Sequence, residues 1–252
     1  MSDLFGGAAA YYARYRPGYG PEVIEHLARV FGRGARVLDL GCGPGTVAIP
    51  LAPLVTEVVA VDPDPDMLAT GRRLAGARAS IRWLPGDSTS LRALPAFHHV
   101  VMGRSFHWMD RGAVLSDLDE LLPPDGVVAL LGPTREPREP PWEPVVRPVR
   151  EKFGLLPRFG GGSFQASGEH HQDVLAGSPF GRVEAAIFER RLEWDVDAVV
   201  GLQLSYSFSS PARLGGRLEA FSEAVRAALL AACPPGGWEE RETTEALIAR
   251  RP

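Results

Sequence analysis

The stretch that most constrains the fold is RVLDLGCGPGTVAIPLA, residues 36–52, in which glycines separate two apolar segments. The run RVLDL predicts a strand, and the residues after Gly45 predict a helix. Gly41, Gly43 and Gly45 have no Cβ atom, so the backbone can turn sharply there and approach a ligand closely. A helix that begins at such a corner directs its free N–H groups and its positive end at the bound molecule. The stretch therefore predicts a ligand site at a strand-to-helix corner.

The rest of the chain continues this alternation. Further strands are predicted at EVVAVD, SIRWLPGD, HHVVMG, GVVALLG, RVEAAIFERRLEW and TTEALIAR. Helices are predicted at PDMLATGRRLA, RGAVLSDLDELL, DAVVGLQLSYSF and RLGGRLEAFSEAVRAALLAA. Short strands that alternate with helices are typical of a parallel sheet covered on both faces. We expect an α/β fold, with a Rossmann-like, mostly parallel sheet of seven strands and a helical cap inserted in the C-terminal half.

Changes in composition divide the chain into four regions. Residues 1–20 are rich in Gly, Ala, Tyr and Arg and are expected to form an N-terminal lid, followed by a core over 21–132. Residues 133–232 are expected to form a cap, or substrate region, together with late core elements, and 233–252 the final core strand. Within the cap, the proline- and glycine-rich residues from Gly132 to about Gly168 predict loops with one short helix.

Length and charge exclude several classes of protein. The 252 residues are 45% hydrophobic, enough for a large core, and the net charge of −4 argues against general nucleic-acid binding. The two cysteines, Cys42 and Cys233, form no metal or redox spacing. No apolar run is long enough to span a membrane or act as a secretion signal, so we expect a cytoplasmic protein without membrane or nucleic-acid partners.

Acidic residues lie at the carboxyl ends of the first three strands. Asp39 lies in the first, Asp62 ends the second about 20 residues after Gly41, and Asp87 follows the third; that offset is typical of an acid that binds ribose hydroxyls. Ribose, adenine and an amino acid all offer donors to such carboxylates. The spacing here is G-x-G-x-G with Thr46 next, which disfavours the G-x-G-x-x-G site of a dinucleotide.

At this point the chain resembles the class I S-adenosylmethionine-dependent methyltransferases. The matching segments over residues 10–132 are VLDLGCGPG, VVAVDPDPDML, LPGDSTSL and VVMGRSFHWMD, in family order. The N-terminal YYARYRPGY and the FHW after the fourth strand are similar to the small-molecule branch that includes trans-aconitate methyltransferase. The resemblance implies S-adenosylmethionine as cofactor, S-adenosylhomocysteine as product and a small-molecule acceptor.

The resemblance also implies roles for individual residues. The three glycines would line the methionine half of the cofactor, with Asp39 near its ammonium group, and Asp62 would accept both ribose hydroxyls. The other implied cofactor contacts are Pro63 and Met67 beside adenine, Asp87 and Ser88 at its edge, and Gly103 and Arg104 beside the methyl group.

Several residues have two interpretations that the sequence leaves open. Asp62 can also be the N-cap of the following helix. Tyr12, with the neighbouring tyrosines, can stabilise the sulfonium from a lid or pack in a core, and Arg16 can pair with the cofactor carboxylate or lie on the surface. His107 can be the base that removes a proton from the acceptor, or a residue that shapes the pocket.

A metal is not expected. The pair His170-His171 with Asp173 reads as a polar loop, because adjacent histidines point in different directions and a third ligand is missing at suitable spacing.

We therefore expect methyl transfer to oxygen or carbon of a small molecule, a specialised metabolite of natural product biosynthesis. The fourth strand ends in GRSFHW and lacks the Asn/Asp-Pro-Pro-Tyr tetrad of the N-methylating branches. Two alternatives stay open: a cyclisation or rearrangement on the same fold without methyl transfer, and a cofactor-binding regulator without catalysis. The sequence does not indicate an oligomeric state.

Overall fold

The computed structural model describes residues 6–77, 80–155 and 168–252. Contacts within the chain divide it into two compact units. The larger unit comprises Gly18–Glu136, Phe159–Phe188 and Thr244–Pro252, and the smaller one Met1–Pro17, Pro137–Arg158 and Glu189–Thr243. The predicted segments at 1–5 and 156–165, which belong to the expected lid and cap loops, lie outside the described residues in whole or in part. The four-region division stays a prediction.

Seven strands form one sheet in the order β3-β2-β1-β4-β5-β7-β6. Their bounds are β1 Arg36–Leu40, β2 Glu57–Asp62, β3 Ile81–Pro85, β4 His99–Gly103, β5 Val127–Gly132, β6 Arg182–Trp194 and β7 Trp238–Arg250. The first five strands of this order, β3, β2, β1, β4 and β5, pair in parallel, and β7 pairs antiparallel with β5. This confirms the predicted seven-stranded, mostly parallel α/β fold.

The helices follow the predicted alternation. Their bounds are α1 Ala9–Tyr15, α2 Pro21–Phe31, α3 Ala48–Leu51, α4 Pro65–Ala75, α5 Arg111–Leu121, α6 Glu143–Lys152, α7 His171–Ala176, α8 Val196–Gln203, α9 Pro211–Leu214 and α10 Leu218–Ala232. Helix α2 begins with Pro21 at its first position and ends at Gly32, whose φ of 79° suits glycine. Asp110 and Asp195 cap α5 and α8 with their carboxylates.

The central strands of the sheet, β1, β2, β4 and β5, are buried on both faces. Along β1, Val37 belongs to one apolar cluster and Leu38 to another, and along β2 Val58 and Val59 divide in the same way. Successive side chains of a strand point to opposite faces, so a strand that is apolar at every position needs a cover on each side. These near-continuous apolar runs place the carboxyl ends of β1, β2 and β4 rigidly at one edge.

One local prediction holds in part and another was wrong. The helix predicted after Gly45 is present but short: the four residues of α3 continue as a 3₁₀ turn at Ala52–Leu54, because Pro50 and Pro53 have no N–H to extend the hydrogen bonds. The histidine pair expected in a polar loop instead starts a helix, since His171 is the first residue of α7.

The smaller unit has its own core. Buried apolar residues from α6, α8 and α10 form it together with Trp142, the residue before α6; they include Val146, Val199, Phe221 and Leu229. Tyr15 packs so closely on Gly201 that a Cβ atom there would lie 2.3 Å from its ring. Of the two interpretations for the tyrosines, Tyr15 therefore follows the packing one.

Candidate active site

The strand order places the candidate site where the chain changes direction in the sheet. From β1 the chain moves to β2 on one side, and β4 pairs with β1 on the other. In parallel sheets, ligands bind beyond the carboxyl ends of the strands at this reversal. The loops that follow β1, β2 and β4 all start at this edge.

The loop after β1 is held open toward that edge. Gly43 has a φ of 53°, and a Cβ atom built on it would have nothing within 4 Å. Its conformation is left-handed and the space above it is empty, so the backbone there is accessible to a ligand.

Gly45 has a different reason to be glycine. Its φ is 87°, and a Cβ atom there would lie 2.6 Å from the Trp83 ring and 3.0 Å from the Ile49 side chain. The same ring would lie 2.5 Å from a Cβ on Gly71 of α4. Trp83, in β3, thus supports the glycine loop and fixes its distance from α4.

Asp62 joins the loop to the end of β2. Its Oδ2 accepts a hydrogen bond from the Gly43 N–H at 2.8 Å, and its Oδ1 accepts one from the Asp64 N–H at 2.9 Å. The side chain is largely buried, and burial raises the pKa of Asp62 despite these two bonds. A further hydrogen-bond donor would therefore stabilise the ionised form of the Asp62 carboxyl.

The N-cap of α4 is Asp64. Its Oδ1 accepts hydrogen bonds from the N–H groups of Asp66 and Met67 at 2.8 and 3.3 Å. The interpretation of Asp62 as the N-cap was therefore wrong, because Asp64 caps the helix.

Asp39 is fully buried beneath the loop. Its Oδ2 accepts a hydrogen bond from the Ala48 N–H at 3.0 Å, at the start of α3. Burial, with a smaller contribution from the Asp62 charge, raises the pKa of Asp39 to about 7. A nearby cation would stabilise the ionised form of this carboxyl.

The third acid, Asp87, is less buried than Asp39 and Asp62, and its hydrogen-bond partner is a nearby residue of the same loop. Asp87 Oδ1 accepts hydrogen bonds from the Thr89 N–H and hydroxyl at 2.9 and 2.6 Å, and these bonds lower the pKa of Asp87. Ser88 beside it is partly exposed, Pro63 is exposed, and Met67 is buried at the start of α4.

At the end of β4, the side chains of Tyr19 and Val47 pack closely against Gly103. A Cβ atom on Gly103 would lie 2.9 Å from the Tyr19 hydroxyl and 3.1 Å from Val47. Arg104 follows with a φ of 53°, an uncommon conformation for a residue with a side chain, and its guanidinium lies 5.5 Å from the centre of the Tyr19 ring.

His107 lies in the 3₁₀ turn Phe106–Trp108 directly after β4. Its ring centre is 4.8 Å from that of Trp108 and 6.5 Å from that of His171. A partly exposed imidazole thus follows the same strand end as Gly103.

Ser105 and Trp83 were missed by the sequence reasoning. The Ser105 hydroxyl donates to the Leu40 carbonyl at 2.6 Å, and a Cβ on Gly41 would lie 2.5 Å from the Ser105 Cβ, so this serine locks the β4 loop against the β1 loop. Neither contact has a sequence signal, because the partners are far apart along the chain.

Tyr12 and Arg16 lie in the smaller unit. The Arg16 Nε donates to the Ser205 hydroxyl at 2.9 Å, and its guanidinium lies 4.3 Å from the Tyr206 ring centre and 5.1 Å from that of Tyr12. Their contact with a cofactor stays a prediction.

The described part of the chain contains neither a metal-binding cluster nor a membrane-spanning helix. Over residues 6–77, 80–155 and 168–252, no group of three or more His, Cys, Asp or Glu side chains has the arrangement to hold a metal ion. Within the same ranges, no helix is long and apolar enough to cross a membrane.

A parallel sheet with a glycine loop after β1 and an acid at the end of β2 defines a nucleotide-type cofactor fold. Residues 37–126 match the family described as methyltransferase domain. Over these residues the chain is similar to the class I S-adenosylmethionine-dependent methyltransferases.

Individual relatives show the same similarity over part of their length. An uncharacterized methyltransferase of Mycobacterium tuberculosis is 34% identical over 142 residues, 55% of each chain, so the chain spans about half the length of this relative. A trans-aconitate 2-methyltransferase of Variovorax paradoxus is 34% identical over 60% of this chain and 64% of its own.

The fold is similar to that of a Geobacter sulfurreducens methyltransferase in complex with S-adenosyl-L-homocysteine. Its TM-score is 0.55 at 16% identity, and the similarity covers 100% of both chains.

The cofactor of the family, S-adenosylmethionine, fits the residues present. The open space above Gly43 and the carboxylates of Asp39 and Asp62 provide room and acceptors at one strand edge. A sulfonium cofactor brings hydroxyl and ammonium donors, which match this acceptor-rich edge.

Proposed function

We propose that the chain transfers the methyl group of S-adenosylmethionine to an oxygen or carbon atom of a small-molecule acceptor. The observation that carries this proposal is the hydrogen bond between Asp62 at the end of β2 and the Gly43 N–H of the loop after β1. This bond brings the acid and the open backbone of the loop together at one site.

In this proposal the core residues hold the cofactor. Asp62 accepts the ribose hydroxyls, the loop from Gly41 to Gly45 borders the methionine half, and Asp39 lies near the ammonium group. The remaining proposed contacts are Pro63 and Met67 beside adenine, Asp87 and Ser88 at its edge, Gly103 and Arg104 near the methyl group, and Tyr12 and Arg16.

When bound, the cofactor supplies an activated methyl group on a positively charged sulfur. The rigid strand ends orient it, and orientation with exclusion of water provides much of the rate in such displacements. The new bond forms between the acceptor atom and the methyl carbon while the carbon–sulfur bond breaks and its electron pair stays on sulfur. His107 accepts the proton of a hydroxyl or carbon-acid acceptor through an imidazole nitrogen.

An oxygen or carbon acceptor is supported by the end of β4. GRSFHW provides an imidazole there in place of the Asn/Asp-Pro-Pro-Tyr tetrad. The likeness to a trans-aconitate 2-methyltransferase supports a small molecule as acceptor. We propose a specialised metabolite within this class.

The test is an acceptor panel with S-adenosylmethionine as donor. The panel contains trans-aconitate, a phenol, an aliphatic alcohol, a 1,3-diketone and a primary amine, and the readouts are S-adenosylhomocysteine and the mass of a methylated product. We expect turnover on at least one oxygen or carbon acceptor and a large loss of it in Asp62→Ala. Binding of the donor without S-adenosylhomocysteine from any acceptor, or product only from the amine, would contradict the proposal.

A further inference from the structure

A second imidazole lies beside His107. His171, at the start of α7, has its ring centre 6.5 Å from that of His107, and the two planes are 18° from parallel. The same ring meets Phe106 edge-on at 5.2 Å. Both contacts are made to the 3₁₀ turn after β4, the turn to which the proposed function assigns the acceptor base.

A buried arginine holds His171 in place. Arg111, the first residue of α5, has its guanidinium almost fully buried. One terminal nitrogen donates to the Glu169 carbonyl at 3.0 Å and approaches the His171 Nδ1 at 3.4 Å, and the other donates to the Glu169 carboxylate at 3.2 Å. The hydrogen bonds of this guanidinium therefore connect Glu169, which precedes α7, to the start of α5.

This contact fixes the tautomer of His171. A guanidinium has only donors, so the Nδ1 that faces it must be the acceptor of that hydrogen bond. The remaining proton of a neutral imidazole is then on Nε2, which becomes a donor. In metal-free sites, a partner on one ring nitrogen decides the role of the other in this way.

The charged groups around His171 agree with a neutral ring. Burial, followed by the charges of Arg111 and His170, lowers the pKa of His171 to about 4. Glu169 is the acidic group of this cluster, and its carboxylate is bonded to Arg111, while Asp173 is bonded to Arg135. A neutral ring also adds no positive charge next to a sulfonium cofactor.

We infer that His171 is a specificity-determining residue of the acceptor site, whose Nε2–H donates a hydrogen bond to an oxygen of the acceptor next to the atom that is methylated. This inference rests on the proposed function. The acceptor then carries a carbonyl, carboxylate or hydroxyl oxygen at that place. The two imidazoles divide the work, since His107 removes a proton and His171 donates a hydrogen bond without losing one.

The first test needs no acceptor. Long-range ¹H–¹⁵N spectra of the imidazoles, recorded at pH 7 with S-adenosylhomocysteine bound, should show His171 neutral, with the proton on Nε2. In Arg111→Met, which removes the donor to Nδ1, the preference for this tautomer should decrease. A doubly protonated His171, or a proton on Nδ1 in the wild type, would overturn the inference.

The second test uses the oxygen acceptor from the panel that the wild type methylates fastest. His171→Phe keeps a flat ring and removes the donor, so we expect kcat/KM to fall roughly three- to tenfold, mainly through KM. His171→Gln retains an N–H donor and should recover part of this loss. The control is His170→Phe, a change at the exposed neighbouring imidazole, which should stay within about twofold of the wild type.

The outcomes separate the two proposals. Equal kinetics of His171→Phe and the wild type, with unchanged affinity for S-adenosylhomocysteine, would overturn the role of His171 and leave the proposed function intact. Absence of turnover by the wild type on every acceptor contradicts the proposed function, and the tautomer measurement still decides the state of His171.

Discussion

The carboxylate of Asp62 and the N–H of Gly43 are 2.8 Å apart and join the end of β2 to the loop after β1. The hydrogen bond orients both groups that the proposed function assigns to the cofactor. Asp87 has no comparable tie, because its carboxylate is bonded to the nearby Thr89.

Cofactor affinity should depend more on Asp62 than on Asp87. Asp62→Ala removes two charge-assisted hydrogen bonds to ribose, each worth roughly 1.5–3 kcal/mol, whereas adenine can also be held by stacking and backbone groups. Calorimetric titration with S-adenosylhomocysteine measures both variants. Asp64→Ala, which removes only the cap of α4, is the control and should bind nearly as the wild type does. Equal losses for Asp62→Ala and Asp87→Ala would contradict the assigned geometry.

Gly45→Ala should destabilise the larger unit. The new methyl group would lie 2.6 Å from the Trp83 ring and require a left-handed conformation, so we expect a loss of roughly 2–4 kcal/mol in the free energy of unfolding. Denaturant titration followed by circular dichroism checks this. Gly34→Ala, where a Cβ atom meets nothing within 4 Å, is the matched control and should change stability little.

Stability should depend on the ionisation of Asp39. Its folded pKa of about 7 lies above the ordinary value of 3.8, so the folded state binds the proton more tightly than the unfolded chain does. Without cofactor, the Asp39 contribution to stability is therefore greatest near pH 4 and decreases as the pH rises toward and through 7. Denaturant titrations from pH 4 to 8 should show that Asp39→Asn gains on the wild type as the pH rises, by roughly 2–4 kcal/mol in all.

A constant difference between Asp39→Asn and the wild type across this range would contradict the raised pKa. The same carboxyl should release a proton at pH 7 when a cationic cofactor binds, which calorimetry in buffers of different ionisation enthalpy detects.

His107→Ala should lower turnover on a hydroxyl or carbon-acid acceptor by about 10²–10⁴, with little change in cofactor affinity. The pH profile of kcat should lose the ionisation of the catalytic base. If the acceptor is a carboxylate, which has no proton to lose, KM should rise instead while kcat stays similar. Unchanged kinetics with a lower Tm would assign His107 to packing.

Methyl transfer should need no metal. The proposed reaction neutralises the positive charge of the sulfur and needs a base only for an acceptor that loses a proton, and neither step requires a divalent ion. Exhaustive treatment with a chelator should leave the rate unchanged. A rate that falls with the chelator and returns with magnesium or zinc would contradict this prediction.

Much of the fold follows from local patterns in the sequence. The apolar runs of β1 and β2 are interrupted by glycine, proline and acidic residues at the strand ends, so the pattern predicts both the strands and the edge that holds the site. Strand β6 has the predicted bounds Arg182–Trp194. The same local reasoning predicts Asp62 and the glycine loop.

Contacts between distant residues could not be predicted in this way. Ser105 and Leu40 are far apart along the chain, as are Trp83 and Gly45, and their meeting depends on how the strands align. The tautomer of His171 depends in the same way on Arg111 in another helix. The short α3 has a local cause, the prolines at 50 and 53, whose effect outweighs the apolar pattern of that segment.

The position of Trp83 also has a practical consequence. An indole in contact with both Gly45 and Gly71 is a natural fluorophore set directly under the cofactor loop. The chain has five tryptophans, so the signal of this indole is the difference between the emission of the wild type and that of Trp83→Phe. Mixing experiments that record this difference should time the loop itself, separately from the methyl transfer that follows.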